Sequence, residues 1–165
     1  MIQEIQFRDL EEADIPLLMD IYNHFVMHTT VSFHTEPVTL DEFTDSVVHP
    51  NPRYKTFVIM LDGSLQGYVQ VMPHKKKQAY ATSGEVTIYL HPECVGKGIG
   101  TAALQHIEAF AKENGYHVLV STICSENSPS IRSFTKNGYF QCAHFREVGL
   151  KWGKFLDIVT YQKII

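Results

Sequence analysis

The chain reads as a mixed-sheet α/β domain, and three observations carry that reading. Asp62-Gly63 joins two apolar runs, residues 56–61 and 65–72, which is the pattern of a tight antiparallel hairpin. A glycine-rich turn over residues 95–101 separates a β-branched run from an amphipathic helical stretch. A further apolar run, residues 117–124, follows that stretch and makes a strand–helix–strand crossover. A crossover of this kind puts two strands parallel beside an antiparallel meander.

Taken in order, residues 3–8 alternate as a short strand, and a helix is expected over 12–27, where Ile15, Leu18, Met19, Tyr22 and Val26 recur at helical spacing. Asp14 stands before Ile15-Pro16 as a capping carboxylate ahead of a first-turn proline. Residues 29–37 read as irregular. Thr39 and Glu42 have capping-box spacing and open a second helix. The hairpin follows, then a polar loop over 74–83 and a strand over 85–90. A helix over 99–114 carries Ala103, Leu104, Ile107, Phe110 and Ala111 on one face and stops at Asn114-Gly115. The strand at 117–124, a short helix at 128–137 ended by Asn137-Gly138, and strands near 139–147 and 155–164 complete the chain.

Composition narrows the class. The 165 residues carry no linker, repeat or low-complexity segment, so a single domain over residues 1–165 is expected. The 44% hydrophobic and 19% charged fractions are those of a soluble globular protein. A formal charge of −4 gives no broad cationic field, so nucleic acid is not expected as a partner. The one cationic run, Lys75-Lys76-Lys77, reads as a solvated loop. No apolar run reaches the ~18 residues that span a bilayer. Met1-Ile2-Gln3-Glu4 lacks the charged and apolar regions of a leader peptide, so cytoplasmic residence is expected, with no membrane partner. Cys94, Cys124 and Cys142 have no CxxC spacing and fit reduced thiols. His24 and His28 share a helix face without a suitably spaced third ligand, so no metal is expected.

Most of the chemistry lies at Val95-Gly96-Lys97-Gly98-Ile99-Gly100-Thr101. Glycines let the backbone approach a ligand closely, and the helix start behind them offers unpaired N–H groups and partial positive charge to a phosphate. A P-loop is excluded because G-x-x-x-x-G-K-[ST] is absent. A dinucleotide fold opens its domain with G-x-G-x-x-G, whereas the spacing here is G-x-G-x-G in mid-chain. A coenzyme A pyrophosphate, with its pantetheine arm along the preceding strand, accounts for both the turn and its position.

The run over residues 85–101, Glu-Val-Thr-Ile-Tyr-Leu-His-Pro-Glu-Cys-Val-Gly-Lys-Gly-Ile-Gly-Thr, resembles the acetyl-CoA motif of the GNAT acetyltransferases. More narrowly the chain resembles the phosphinothricin N-acetyltransferase group. Ile21-Tyr22-Asn23 with Thr29-Thr30 and Thr35-Glu36-Pro37, Ile123-Cys124-Ser125-Glu126-Asn127 with Ser130-Ile131-Arg132, and His144-Phe145-Arg146 with Leu156-Asp157 extend the likeness over nearly the whole chain.

The resemblance implies a GNAT fold, a mixed and mostly antiparallel sheet flanked by helices, and a homodimer. It implies acetyl-CoA as co-substrate, held by Ile88, Tyr89 and Leu90, by Val95, Gly96, Lys97, Gly98, Ile99, Gly100 and Thr101, and by Asn127 and Ser130. It implies Glu85 as general base, with Phe33, Lys75, Tyr80 and Thr87 toward the acceptor amine. Three positions depart from the family pattern: Val95 replaces the Arg or Gln that opens the pyrophosphate loop, Phe134 replaces a proton-donating Tyr or His, and Val86 replaces a His that often follows the acidic residue.

The function expected is transfer of acetyl onto the α-amine of a small amino acid analogue of the phosphinothricin, methionine sulfoximine or methionine sulfone type. An α-amine, with a pKa of ~7.7–8.0, is far easier to deprotonate at neutral pH than a lysine-like amine near ~10.4. A different acceptor (a polyamine or a protein N-terminus) and a coenzyme A-binding sensor without turnover remain as alternatives.

Overall fold

The computed structural model describes residues 3–165. Met1 and Ile2, the start of the stretch read for a leader peptide, lie outside the described residues. Strands β1 (Ile5–Asp9), β2 (Lys55–Leu61), β3 (Ser64–Pro73), β4 (Ser83–Leu90), β5 (Val118–Cys124), β6 (Phe140–Lys151) and β7 (Lys154–Ile164) form one sheet. Helices α1 (Ile15–His28), α2 (Leu40–Val47), α3 (Ile99–Glu113) and α4 (Ser128–Lys136) flank it. Spatial order is β1-β2-β3-β4-β5-β7-β6, and among the described residues only β4 and β5 pair in parallel.

Period-two alternation along the central strands divides the core between two faces. Val58 of β2 and Tyr68 of β3 point to one face and pack with Leu18, Ile21, Phe43 and Val47 of α1 and α2. Their neighbours Phe57, Ile59, Val69 and Val71 point to the other and pack with Ala103, Leu104, Ile107 and Ala111 of α3. At about 25 cal/mol per Å² of apolar surface buried, these two layers are the main stabilising contribution.

Local signals behave as their chemistry dictates. Asp62 (φ 49) and Gly63 (φ 81) both adopt positive φ, the requirement of a type I′ hairpin. The Glu42 amide donates to Thr39 Oγ1 and the Thr39 amide to Glu42 Oε2, each at 3.2 Å, which completes the capping box of α2.

Two expectations are corrected. Asp14 does not cap α1 with its side chain. Its buried carboxylate instead accepts both guanidinium donors of Arg8 at 2.7 Å and the Glu11 amide at 2.8 Å, pinning β1 to the helix start. The last two strands are longer than their apolar patterns suggest and meet at a tight turn, where Trp152 (φ 53) and Gly153 (φ 73) do the work of an Asn-Gly pair. Trp is not a turn former, so this hairpin leaves little trace in the sequence.

Candidate active site

Strands β4 and β5 pair only from Ser83–Glu85 to Val118–Val120 and then part. The His91 amide donates to the Gln66 carbonyl at 2.7 Å, and hydrogen bonding alternates along an antiparallel ladder. The backbone groups of Thr87 and Tyr89 therefore turn to β3, and those of Val86, Ile88 and Leu90 turn toward the opening. Consistently, the Val86 carbonyl accepts the Ser121 hydroxyl of β5 at 3.1 Å. Beyond that point the peptide groups of Ile88 and Leu90 face a wedge, and Thr122 is exposed although its strand is central.

The wedge opens into a groove of about 630 Å³ lined by Thr87, Ile88, Tyr89 and Leu90 of β4, Ser121, Thr122 and Ile123 of β5, and the starts of α3 and α4. Gly96 (φ 83) and Gly98 (φ 78) take left-handed backbone that a side chain would strain. Among the described residues, no amide from Gly96 to Thr101 is bonded to a backbone carbonyl. These amides are the donors left over by the start of α3, the arrangement that accepts phosphate oxygens. Gly100 has a different cause: a Cβ there would meet Ser133 Oγ at 3.1 Å, so it sets the approach of α3 to α4.

On the α4 side, Asn127 Oδ1 caps the helix by accepting the Ser130 amide, which leaves the Asn127 amide group to donate into the groove. Val95, Gly96, Gly98, Gly100, Thr101, Asn127 and Ser130 all line it. Ile99 is instead core, 1% exposed, and Lys97 lies on the exposed crest of the turn outside the lining. Thr87 lines this groove and not the acceptor side to which the resemblance assigned it. Phe134 packs edge-on against Tyr139, the ring centroids 4.9 Å apart.

A second cleft of about 430 Å³ lies on the α1 side, and the two meet at Val31, Tyr89 and Thr122. It holds Glu85, Tyr22, Ser32, Phe33, His34, Cys124 and Ile158. Among the described residues, Glu85 supplies its one acidic side chain and no Lys or Arg lines it. The Tyr22 hydroxyl bonds Ser32 Oγ at 2.8 Å and the Nδ1 of His34, giving the wall a cluster of polar hydrogens. Burial pushes the Tyr22 and Tyr89 phenols above their ordinary values, so both are neutral donors at physiological pH. Tyr139 is buried in the core, and burial pushes its phenol up as well.

Phe33 is seated by β6. A bulge between Phe145 and Gly149 is held open by Asp157, whose carboxylate accepts the Glu147 amide at 2.7 Å and faces His144 Nε2 at 2.8 Å. The Glu147 amide and then His144 hold that carboxyl below its usual range. The bulge presents Gly149 to the Phe33 ring so closely that a Cβ would fall 2.5 Å from it.

Lys75 and Tyr80 do not line the cleft. They form an outer chain in which Lys75 Nζ sits 5.6 Å over the Tyr80 ring and Tyr80 packs edge-on to His74 at 5.8 Å, His74 Nδ1 being 3.6 Å from Glu85 Oε2.

Several residues of the two cavities escape a reading of the sequence. Tyr22, Ser32 and His34 come from a helix and an irregular loop whose convergence no local spacing announces. Arg132 and Lys136 of α4 line the groove and bring positive charge to it. Their i, i+4 spacing, with Asn127 and Ser128 opening the same helix, is the signal that could have found them. Among the described residues no cluster of His, Cys, Asp or Glu is arranged to hold a metal, and no helix is long and apolar enough to cross a membrane.

Comparison with known proteins supplies the family. The model of the acetyltransferase (GNAT) family matches residues 18–139. A phosphinothricin N-acetyltransferase of Streptomyces coelicolor is 34% identical, covering 97% of this chain and 96% of its own. A Salmonella typhimurium L-methionine sulfoximine/L-methionine sulfone acetyltransferase is 30% identical over 96% of this chain and 92% of its own. Among solved structures, Salmonella typhimurium yncA with its cofactor acetyl-CoA superposes with a TM-score of 0.85 at 28% identity, covering 97% of this chain and 93% of that one. A GNAT superfamily phosphinothricin acetyltransferase of Sinorhizobium meliloti in complex with acetyl-CoA shares the fold with a TM-score of 0.91 at 24% identity, over 98% and 88% of the two chains. A sheet that parts beside a glycine turn, in a chain so matched, is that of an N-acetyltransferase: the protein belongs to the GNAT family, in its phosphinothricin N-acetyltransferase-like group.

Proposed function

We propose that the chain transfers acetyl from acetyl-CoA directly to the α-amine of a small amino acid analogue of the phosphinothricin, methionine sulfoximine or methionine sulfone type, with Glu85 as general base. The observation that carries the reading is the junction of the two cavities at Val31, Tyr89 and Thr122, with Glu85 on the same strand inside the smaller one. Acetyl-CoA supplies the acyl thioester. The amides of residues 96–101, with Arg132, Lys136 and Asn127, would hold its phosphates and arm, and the peptide groups of Ile88 and Leu90 would extend the sheet along that arm. Val95 removes one side-chain contact and leaves these backbone donors in place.

Inside the smaller cleft, Glu85 takes a proton from the acceptor ammonium, directly or through a water, and the free amine attacks where the cleft meets the groove. The Tyr22, Ser32 and His34 cluster offers hydrogens to sulfone, sulfoximine or phosphinate oxygens. A polyamine would meet only one carboxylate in the cleft, which disfavours that acceptor. The leaving thiolate, with a pKa near ~8.5 if it behaves as a free thiol, departs without a dedicated acid, so Phe134 does not preclude turnover.

The reading extends to a homodimer formed through β6 and β7, where Phe145, Val148, Leu150, Trp152 and Phe155 are all more than half exposed. It also extends to the cytoplasm, where the free thiols of Cys94, Cys124 and Cys142 stay reduced. Thiol release from acetyl-CoA tests the function against phosphinothricin, methionine sulfone, methionine sulfoximine, spermidine and a short peptide. Release with the amino acid analogues is expected. Silence across the panel with coenzyme A still bound would favour the sensor.

A further inference from the structure

We infer that His74 is the proton outlet of Glu85, a relay residue that empties the base between turnovers. The inference rests on the reading of Glu85 as that base. Register places the two together: Met72 pairs with Glu85 and Pro73 with Gly84, so the residue that leaves the end of β3 arrives beside the carboxylate. His74 Nδ1 lies 3.6 Å from Glu85 Oε2 and is buried without a hydrogen-bond partner. A buried polar atom left unpaired is costly, and in native proteins it calls for an explanation.

The carboxylate has two sides. One lines the acceptor cleft, and the other faces His74, which is outside that lining. The Glu85 side chain is 34% exposed; an acceptor filling the cleft would cover the part that lines it, and the imidazole then offers a path to water on the other side. The ring itself is 24% exposed by side chain, enough to reach solvent. The edge contact from Tyr80, with Lys75 over the Tyr80 ring, fixes its plane. The charged or titratable groups around the imidazole are Glu85 from β4 and Tyr80, which Lys75 covers in turn, from the loop of residues 74–82.

Protons balance at each step. The ammonium gives one to Glu85, and the carboxylic acid passes it to Nδ1 of a neutral ring protonated at Nε2. The resulting imidazolium releases the Nε2 proton to water, and exchange with water restores the starting tautomer. An imidazole can take a proton on one ring nitrogen and release one from the other, which is the chemistry this traffic needs.

The test compares His74→Asn with Glu85→Gln in the full chain, by steady-state kinetics on acetyl-CoA and an amino acid analogue. Asn keeps a polar atom near the Nδ1 position and cannot carry a proton. His74→Asn is expected to lower kcat at least ~10-fold, short of the ~10²–10⁴ attached to a general base, with both KM values unchanged and kcat recovered by added imidazole. Calorimetric binding of coenzyme A verifies that the variant is folded. Unchanged kcat, or an effect confined to the acceptor KM, overturns the relay. Turnover retained in Glu85→Gln overturns the base and the relay together, whereas loss in Glu85→Gln with none in His74→Asn overturns the relay alone.

Discussion

The buried ammonium of Lys151, at the end of β6, donates to the carbonyl oxygens of Val26 and Ser32, each at 2.8 Å. One side chain thereby joins the last turn of α1 and the loop that walls the acceptor cleft to the far edge of the sheet. Replacing it with Met keeps the volume and leaves two inward-facing carbonyls without a donor, at ~1–3 kcal/mol each. Lys151→Met is therefore expected to lose about 2–6 kcal/mol in urea unfolding, and to raise the acceptor KM more than the acetyl-CoA KM.

Phe33 and Gly149 make a second specific contact on that wall. Because a Cβ at Gly149 would fall 2.5 Å from Phe33 Cε2, Gly149→Ala must push the ring into the cleft. The acceptor KM should rise by about 10-fold, the equivalent of ~1.4 kcal/mol, while calorimetry finds coenzyme A affinity unchanged. Adding Phe33→Leu, which removes the struck ring edge, should restore much of the loss. A rise that the second change does not relieve would point to a disturbed β6 bulge.

The coenzyme groove has its own steric gauge. Gly100→Ala would bring a methyl to 3.1 Å from Ser133 Oγ, a contact tight enough that Ser133 must give way at the junction of α3 with α4. Acetyl-CoA affinity should fall several-fold. The Ser133→Ala change removes the struck oxygen, so the double variant should bind close to the wild-type level, a non-additivity that a mutant cycle reads directly.

The Arg8–Asp14 pair sets an acid dependence. Hydrogen bonding to Arg8 is the largest of the effects that hold the Asp14 carboxyl below its ordinary 3.8. A depressed folded-state pKa gives stability that is fully present above the unfolded value and lost as pH falls through the folded one. Asp14→Asn should cost ~1–2 kcal/mol at neutral pH, where two charge-assisted bonds are lost. The gap between the two proteins should narrow below pH 3.8, which thermal melts across the acid range can follow.

The legible parts of the molecule are those whose signal is local. Asp62-Gly63, the Thr39–Glu42 box and the glycine turn each act within a few residues of their position in the chain, so residue type and spacing suffice to find them. The acceptor cleft is the opposite case. Ser32 is placed by Lys151 and Phe33 by Gly149, each more than a hundred positions away, and no periodicity encodes such pairings. The same holds for His74, whose role comes from the register of β3 against β4. Trp152-Gly153 shows a third limit, in that a turn can be imposed by the strands it joins even where the residue resists the required φ.

The parallel pairing of β4 with β5 covers only three residue pairs. The sheet is therefore two plates, β1 to β4 and β5 to β7, each knitted internally by antiparallel rungs and joined along a short seam. Drift in the angle between the plates would widen or narrow the gap without unmaking either one, and because both cavities draw their walls from β4 and β5, the berth of the coenzyme and the entry of the amine would be retuned together.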